Sequence, residues 1–302
     1  MLSKDALEEF IYDCEIRNLS KRTIKHYNQN VGKLLVFLER EYHIKNLEKI
    51  SPPLLKAYIA HLRSLELKET YINSLLKGAN SFFNYCVQES YMEINPMKRV
   101  KYLKQPITLI NTFSDSEVKR MVAYFKGTRF LEMRNQLIIF MLFDTGIRNN
   151  ELCELKCENV RETYILIQGK GNKERTVPIS PVLNKALIKY KRIRNIYIKD
   201  KITYQTEYLF LSQKGKMLTK ETVERIVKIC GEGCNVRPEI RCSPHTCRHY
   251  FAQAQLRNGC DLYSLSRLLG HTNPNITKIY LQSMQSDDFL EMTVGTSPLM
   301  NL

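Results

Sequence analysis

The 302-residue chain carries 46 Lys and Arg against 31 Asp and Glu, a formal net charge of +15 at pH 7, and 43% of its residues are hydrophobic. That balance argues against disorder, supports real cores, and calls for a polyanionic partner, nucleic acid ahead of an anionic membrane. No run of about 18 uncharged apolar residues is present, the acidic amphipathic start is unlike a secretory signal, and nine cysteines, an odd number, read as reduced thiols of a cytoplasmic protein.

At this length two domains are expected rather than one. Residues 1–102 read as an all-helical bundle. Phe10, Ile11 and Cys14 recur at helical spacing, and Tyr27, Val31, Leu34, Leu35 and Leu38 form one apolar stripe in a helix starting near Thr23. Ser51-Pro52-Pro53 opens a third helix, and a fourth runs from about Thr70 to Ser90. Lys21, Arg22, Lys25, Lys33, Lys68 and Lys77 decorate the polar faces, as either a solvated surface or a phosphate-contacting one.

The basic stretch from Lys98 to Asn111 has no helical period and contains Pro106, so residues 103–112 are read as an extended linker. Ser114 and Glu117 form a capping box that restarts helix, and residues 113–302 make the second domain. Its apolar run Asn135–Phe143 ends at Gly146, a candidate left-handed cap, with Arg148 directly after it. The only β signal is a hairpin, Tyr164–Ile167 and Arg175–Ile179, joined by Gly169-Lys170-Gly171-Asn172-Lys173. The spacing predicts further helices over Pro181–Tyr197 and Thr219–Cys230, the latter broken by Gly231-Glu232-Gly233.

The densest chemistry lies between Ser243 and Tyr280. Ser243 and Pro244 open a helix that places His245 and Arg248 one turn apart near its N-terminus, an end that favours anions. Asp261 caps the next helix, Gly270 closes it, and His271 sits on the turn. Tyr280 follows in the last helix, with Ile276 and Ile279 as expected core positions. Arginine forks grip phosphate, histidine moves protons near neutral pH, and a tyrosine hydroxyl is a possible nucleophile.

Four motifs stand in order: Thr145-Gly146-Ile147-Arg148-x-x-Glu151-Leu152; Gly169-Lys170-Gly171-x-Lys173-x-Arg175-x-x-Pro178; His245-x-x-Arg248-His249-x-Phe251-Ala252; and Leu268-Leu269-Gly270-His271, followed by Tyr280. With this set the chain resembles the tyrosine recombinase (phage integrase) family, in particular its Xer-like and transposon-encoded members. The resemblance implies an N-terminal core-binding, SAM-like helical bundle. It also implies a mainly α catalytic domain with a small antiparallel sheet.

The implied activity is site-specific recombination of double-stranded DNA (integration, excision or dimer resolution) through a covalent 3′-phosphotyrosyl link, without cofactor or metal. The catalytic set it implies is Arg148, Lys170, His245, Arg248, His271 and Tyr280. The two arginines would clamp the phosphate, Lys170 would protonate the leaving oxygen, with Lys173 as the alternative, and His245 would serve Tyr280 as its proton partner. Lys21, Arg22, Lys25, Lys77, Lys173 and Arg175 are candidate DNA contacts. The implied assembly is a tetramer of this chain, or of this chain with a paired recombinase, coupled by the segment after Tyr280.

Three other readings compete. Cys230, Cys234, Cys242, His245, Cys247 and His249 are dense enough to raise zinc, although Cys247 and His249 are expected to point away from His245. A non-catalytic DNA-binding regulator and a relaxing topoisomerase would share the charge and the fold.

Overall fold

The computed structural model describes residues 1–106, 110–169, 174–201, 206–271, 273 and 275–283. The chain divides into two compact units, Met1–Ile107 and Thr108–Leu302. Both are helical, and the second adds a two-stranded antiparallel sheet.

The first unit contains α1 (Ser3–Ile16), α2 (Lys21–Tyr42), α3 (Pro52–Ser64) and α4 (Glu69–Gln88). The stripe expected on α2 is the buried one, at Val31, Leu34, Leu35 and Leu38. The helix starts before Thr23 because Ser20 caps it, its Oγ accepting from Thr23 N at 3.2 Å. Phe10, Leu55, Phe82 and Phe83 fill the centre. The expected extended stretch opens instead as a 3₁₀ turn, Pro96–Arg99, because Asn95 accepts from Met97 N at 2.8 Å. Asn73 then holds the chain at Leu103 by donating to its carbonyl and accepting from its N–H, both at 2.9 Å.

In the second unit α5 (Asp115–Val122) begins at the expected capping box. Helix α6 (Phe130–Thr145) is the central helix, packed by α8, α9 and α10 as well as α5. It therefore buries several faces, through Leu137, Ile138, Ile139, Met141 and Leu142. Gly146 ends it at φ 59, and a Cβ there would come within 2.4 Å of the Phe251 ring. Only glycine suits both the left-handed turn and that approach. Helix α7 (Asn149–Glu154) follows at once.

Strands β1 (Tyr164–Gln168) and β2 (Glu174–Pro178) pair antiparallel, with Ile165 opposite Val177 and Ile167 opposite Arg175. Helices α8 (Pro181–Lys201), α9 (Lys220–Gly233), α10 (Pro244–Arg257), α11 (Leu262–Leu269) and α12 (Asn275–Gln282) complete the unit.

Two expectations are corrected. Helix α9 runs through Gly231 and Gly233. A Cβ at Gly231 would meet Cys242 Sγ at 2.2 Å, and one at Gly233 would meet the Tyr124 ring at 2.4 Å. These glycines serve close packing rather than helix breaking. On α12, Ile276 and Ile279 are exposed, and the face turned inward is that of Thr277 and Tyr280. Among the described residues no helix is long and apolar enough to cross a membrane.

Candidate active site

The site grows from helix ends. The last carbonyls of α11 have no intrahelical donor and form the negative end of its dipole. Three consecutive ones each receive a guanidinium. Leu268 O accepts from Arg175 Nε at 2.9 Å, Leu269 O from Arg248 at 2.6 Å, and Gly270 O from Arg148 at 2.9 Å. The other arm of Arg248 donates to Gly146 O, at the end of α6, at 2.6 Å. The two left-handed glycines, Gly146 and Gly270, thus aim the carbonyls that hold the arginines.

One carboxylate serves this cluster. Glu151, on α7, accepts from the Arg148 N–H at 2.9 Å and from its guanidinium at 2.8 Å. Arg175 grips it with two nitrogens, at 2.8 and 2.7 Å. Burial pushes the Glu151 carboxyl up, but the hydrogen bonds and charge of Arg175, together with the hydrogen bonds from Arg148, outweigh it and hold the group below its usual value. Among the described residues, three guanidinium groups therefore share a single negative side chain. The imbalance registers at Arg248, which burial first and the neighbouring Arg148 second bring down to about 10. Arg148 is the open member, its side chain 39% exposed against 10% for Arg175. A site so built is short of an anion.

The nucleophile candidate lies beside it. Tyr280 is buried, and burial raises its hydroxyl while the Arg248 charge and hydrogen bond pull it down. His271 Nε2 lies 3.1 Å from Arg248, which can only donate, so Nε2 is the unprotonated nitrogen and Nδ1–H donates to Thr277 Oγ1 at 2.9 Å. Burial, then Arg248, Arg148 and Arg175, lower His271 to about 4, so it is neutral at pH 7.

The imidazole facing Tyr280 is His249, with Nδ1 3.2 Å from the hydroxyl. Burial and then His245 bring His249 to about 4, making it a neutral acceptor. His245, expected in that place, is exposed on the first turn of α10, its ring centre 4.1 Å from that of His249. The expectation that His249 points away from His245 is thereby corrected: positions four apart share a helix face.

Arg148, Arg248, His271 and Tyr280 are thus gathered in one place, with His245 one ring away. Lys170 and Lys173 lie outside the described residues. Lys21, Arg22, Lys25 and Lys77 are exposed on α2 and α4. Arg175, read from sequence as a candidate DNA contact, has its guanidinium turned inward onto Glu151 and Leu268, because strand alternation puts it on the same face as buried Val177.

No catalytic role is expected from the sequence for Glu151, His249 or Thr277. The first two had signals, the capping-box spacing from Arg148 and the helical spacing from His245, whereas Thr277 had none. Among the described residues no three His, Cys, Asp or Glu side chains are grouped to hold a metal ion. Burial holds the thiols of Cys230 and Cys247 well above their usual value.

Comparison with known proteins places this geometry. The profile of the Phage integrase family matches residues 111–286, a span containing every residue of the site. The chain belongs to the phage integrase family. It is a tyrosine recombinase of the Xer-like type, an enzyme of site-specific DNA recombination acting through a phosphotyrosyl intermediate.

The recombinase also matches the Phage integrase SAM-like domain over residues 4–103. It is 31% identical to tyrosine recombinase XerC of Thermodesulfovibrio yellowstonii over 264 residues, 86% of this chain and 85% of that one. It is 28% identical to tyrosine recombinase XerD of Staphylococcus aureus over 284 residues, 93% and 94% of the two chains. Its fold matches the XerH site-specific recombinase bound to a palindromic difH substrate, with TM-score 0.72 and 21% identity over 96% of this chain and 83% of that one.

Proposed function

We propose that Tyr280 is the nucleophile of this recombinase and that Arg148 and Arg248 are its phosphate clamp on double-stranded DNA. The observation that carries the reading is the arginine cluster short of an anion, with the Tyr280 hydroxyl beside Arg248. A scissile phosphodiester supplies the missing negative charge. Its non-bridging oxygens take over donors that now rest on carbonyls, and the charge that builds in the pentavalent transition state is met by groups already oriented.

Tyr280 Oη attacks phosphorus, the Oη–P bond forms, and the bond from phosphorus to the 5′-oxygen breaks. The phenolic proton leaves toward the His245 and His249 pair, with His249 within hydrogen-bond reach of Oη. A proton from Lys170 goes to the departing 5′-oxygen. The phosphoanion between the arginines also raises the proton affinity of His271 and His249, both low without it. His271 positions the phosphate from the Arg248 side.

The N-terminal unit, with Lys21, Arg22, Lys25 and Lys77, contributes salt-dependent phosphate contacts, and Lys173 adds one near the cut. The XerH substrate is palindromic, and two-fold DNA suits two copies of a recombinase. We extend this to a tetramer pairing two sites, acting in the cytoplasm.

The test is covalent capture. A nicked duplex that carries the recombination site and loses its 5′-end on cleavage is incubated with the protein and analysed in SDS. The expected result is a stable adduct with the native chain and none with Tyr280→Phe. An adduct of equal yield from the Phe variant would overturn the assignment.

A further inference from the structure

We infer that Arg175 is a positioning residue of the recombination reaction, a strut that sets the angle of the Arg148 guanidinium rather than a contact to DNA. The inference rests on the reading of Arg148 as a phosphate clamp and goes beyond it by naming what aims that clamp. Four observations carry it. Arg175 holds both oxygens of Glu151, and the same two oxygens receive the Arg148 backbone N–H and guanidinium. Its Nε holds Leu268 O, two residues from the Gly270 O that takes the other arm of Arg148. Its side chain lies across Gly270 so closely that a Cβ there would come within 2.9 Å of Arg175 Cδ. Finally, its side chain is 10% exposed, and that of Glu151 is 8% exposed, so neither is available to a DNA backbone.

Both supports of Arg148, the carboxylate on one side and the helix-end carbonyl on the other, are therefore fixed by Arg175. Arg148 itself sits on the short turn between α6 and α7 and has no other side-chain anchor among the described residues. A planar fork is required at Arg175 because it binds two carboxylate oxygens and a carbonyl at once, which a lysine point charge does not reproduce.

The test uses Arg175→Lys and Arg175→Gln in the full-length protein. The readouts are DNA affinity, single-turnover cleavage of the normal phosphodiester, and cleavage of a methylphosphonate, with both isomers tested separately. In the methylphosphonate a neutral methyl group replaces one charged non-bridging oxygen, so less depends on an aimed guanidinium. DNA affinity should stay near that of the native chain. Cleavage of the phosphodiester should fall about 10²-fold, the scale of a small misplacement in a catalytic group. The loss on the methylphosphonate should be clearly smaller.

Double variants with Arg148→Lys should lose little more than Arg148→Lys alone, because the two act as one unit. Equal losses on both substrates would overturn the inference in favour of a purely structural role. Weakened DNA affinity with normal cleavage of bound DNA would overturn it in favour of a phosphate contact. Arg148→Lys measured on the same two substrates separates the premise: if that variant shows no difference between them, the clamp reading itself fails, and the strut with it.

Discussion

Among the described residues, the two compact units differ in that only the second buries charged side chains beside neutral ones. In the first, the buried polar side chains among the described residues are neutral: Ser3, Asn30, Asn73 and Asn95. Asn95 joins Asn80, Asn84 and the Met97 N–H, so every polar atom of its amide is engaged. The second unit buries Glu117, Arg134, Arg194 and Arg248. Arg134 reaches Leu211 O and Asn135, Arg194 reaches the carbonyls of Thr206, Tyr208 and Leu209, and Arg248 reaches those of Gly146 and Leu269.

A buried guanidinium demands far more compensation than a buried amide. The second unit meets the demand with carbonyls at chain turns and helix ends. Carbonyls stabilise the cation without neutralising it, so the positive charge survives for a substrate. The first unit has no such need, and its Lys21, Arg22, Lys25 and Lys77 stay in water, where charge acts at range but without fixed geometry.

This contrast can be tested by disturbing each kind of site. Beyond loss of Tyr280, the proposed nucleophile, the largest effect is expected at Arg248. Arg248→Lys keeps the charge and loses the fork, and single-turnover cleavage should fall by about 10²–10³-fold, with DNA affinity nearly kept. A matching fall in affinity would mean that Arg248 only holds the fold.

Next is Glu117, which burial pushes up but which hydrogen bonds from Arg237 and Ser114 hold at about 2, against an ordinary value of 4.5. A depressed carboxylate contributes stability that is present above pH 4.5 and is lost as pH falls toward 2. Urea unfolding of the native chain should show that acid-side slope, and Glu117→Gln should flatten it while removing at most about 3 kcal/mol at neutral pH. A slope unchanged in the variant would place the acid sensitivity elsewhere.

In the first unit, Asn95→Ala should destabilise by about 2 kcal/mol, because Asn80, Asn84 and Met97 N–H lose a shared partner. Thermal melting reads the stability, and cleavage per folded molecule should not change. The smallest effect on chemistry is expected from Lys21, Arg22 and Lys25 changed together to Ala. The salt dependence of DNA affinity should become shallower, by about 0.9 in slope for each phosphate that is no longer neutralised. Cleavage of fully bound DNA should be unaltered, and an unchanged salt slope would remove these residues from the DNA-binding surface.

Much of the second unit was legible because its landmarks are local. Ser114 with Glu117, Ser243 with Pro244, Asp261, and the glycines at 146 and 270 each act through hydrogen bonds or dihedrals within a few residues, and all do so in the structure. The misreadings have a common cause. Gly231 and Gly233 look like breakers until Cys242 and Tyr124 arrive from elsewhere in the chain. Arg175 looks like one more basic hairpin residue until Glu151 and the end of α11 close over it. His249 was expected to point away from His245 although their spacing puts both on one face, and only the arrival of α12 decides which of them meets Tyr280.

By itself, the sequence determined that the chain is basic and mainly helical, and it set the order of two arginines, three histidines and one tyrosine along local turns, because caps, periodicity and charge are properties of short segments. The tertiary structure alone decided that three guanidinium groups converge on consecutive carbonyls of one helix end around the Glu151 carboxylate, and which imidazole faces the tyrosine. Those relations join residues up to about 120 positions apart, and long-range convergence is set by packing rather than by local propensity.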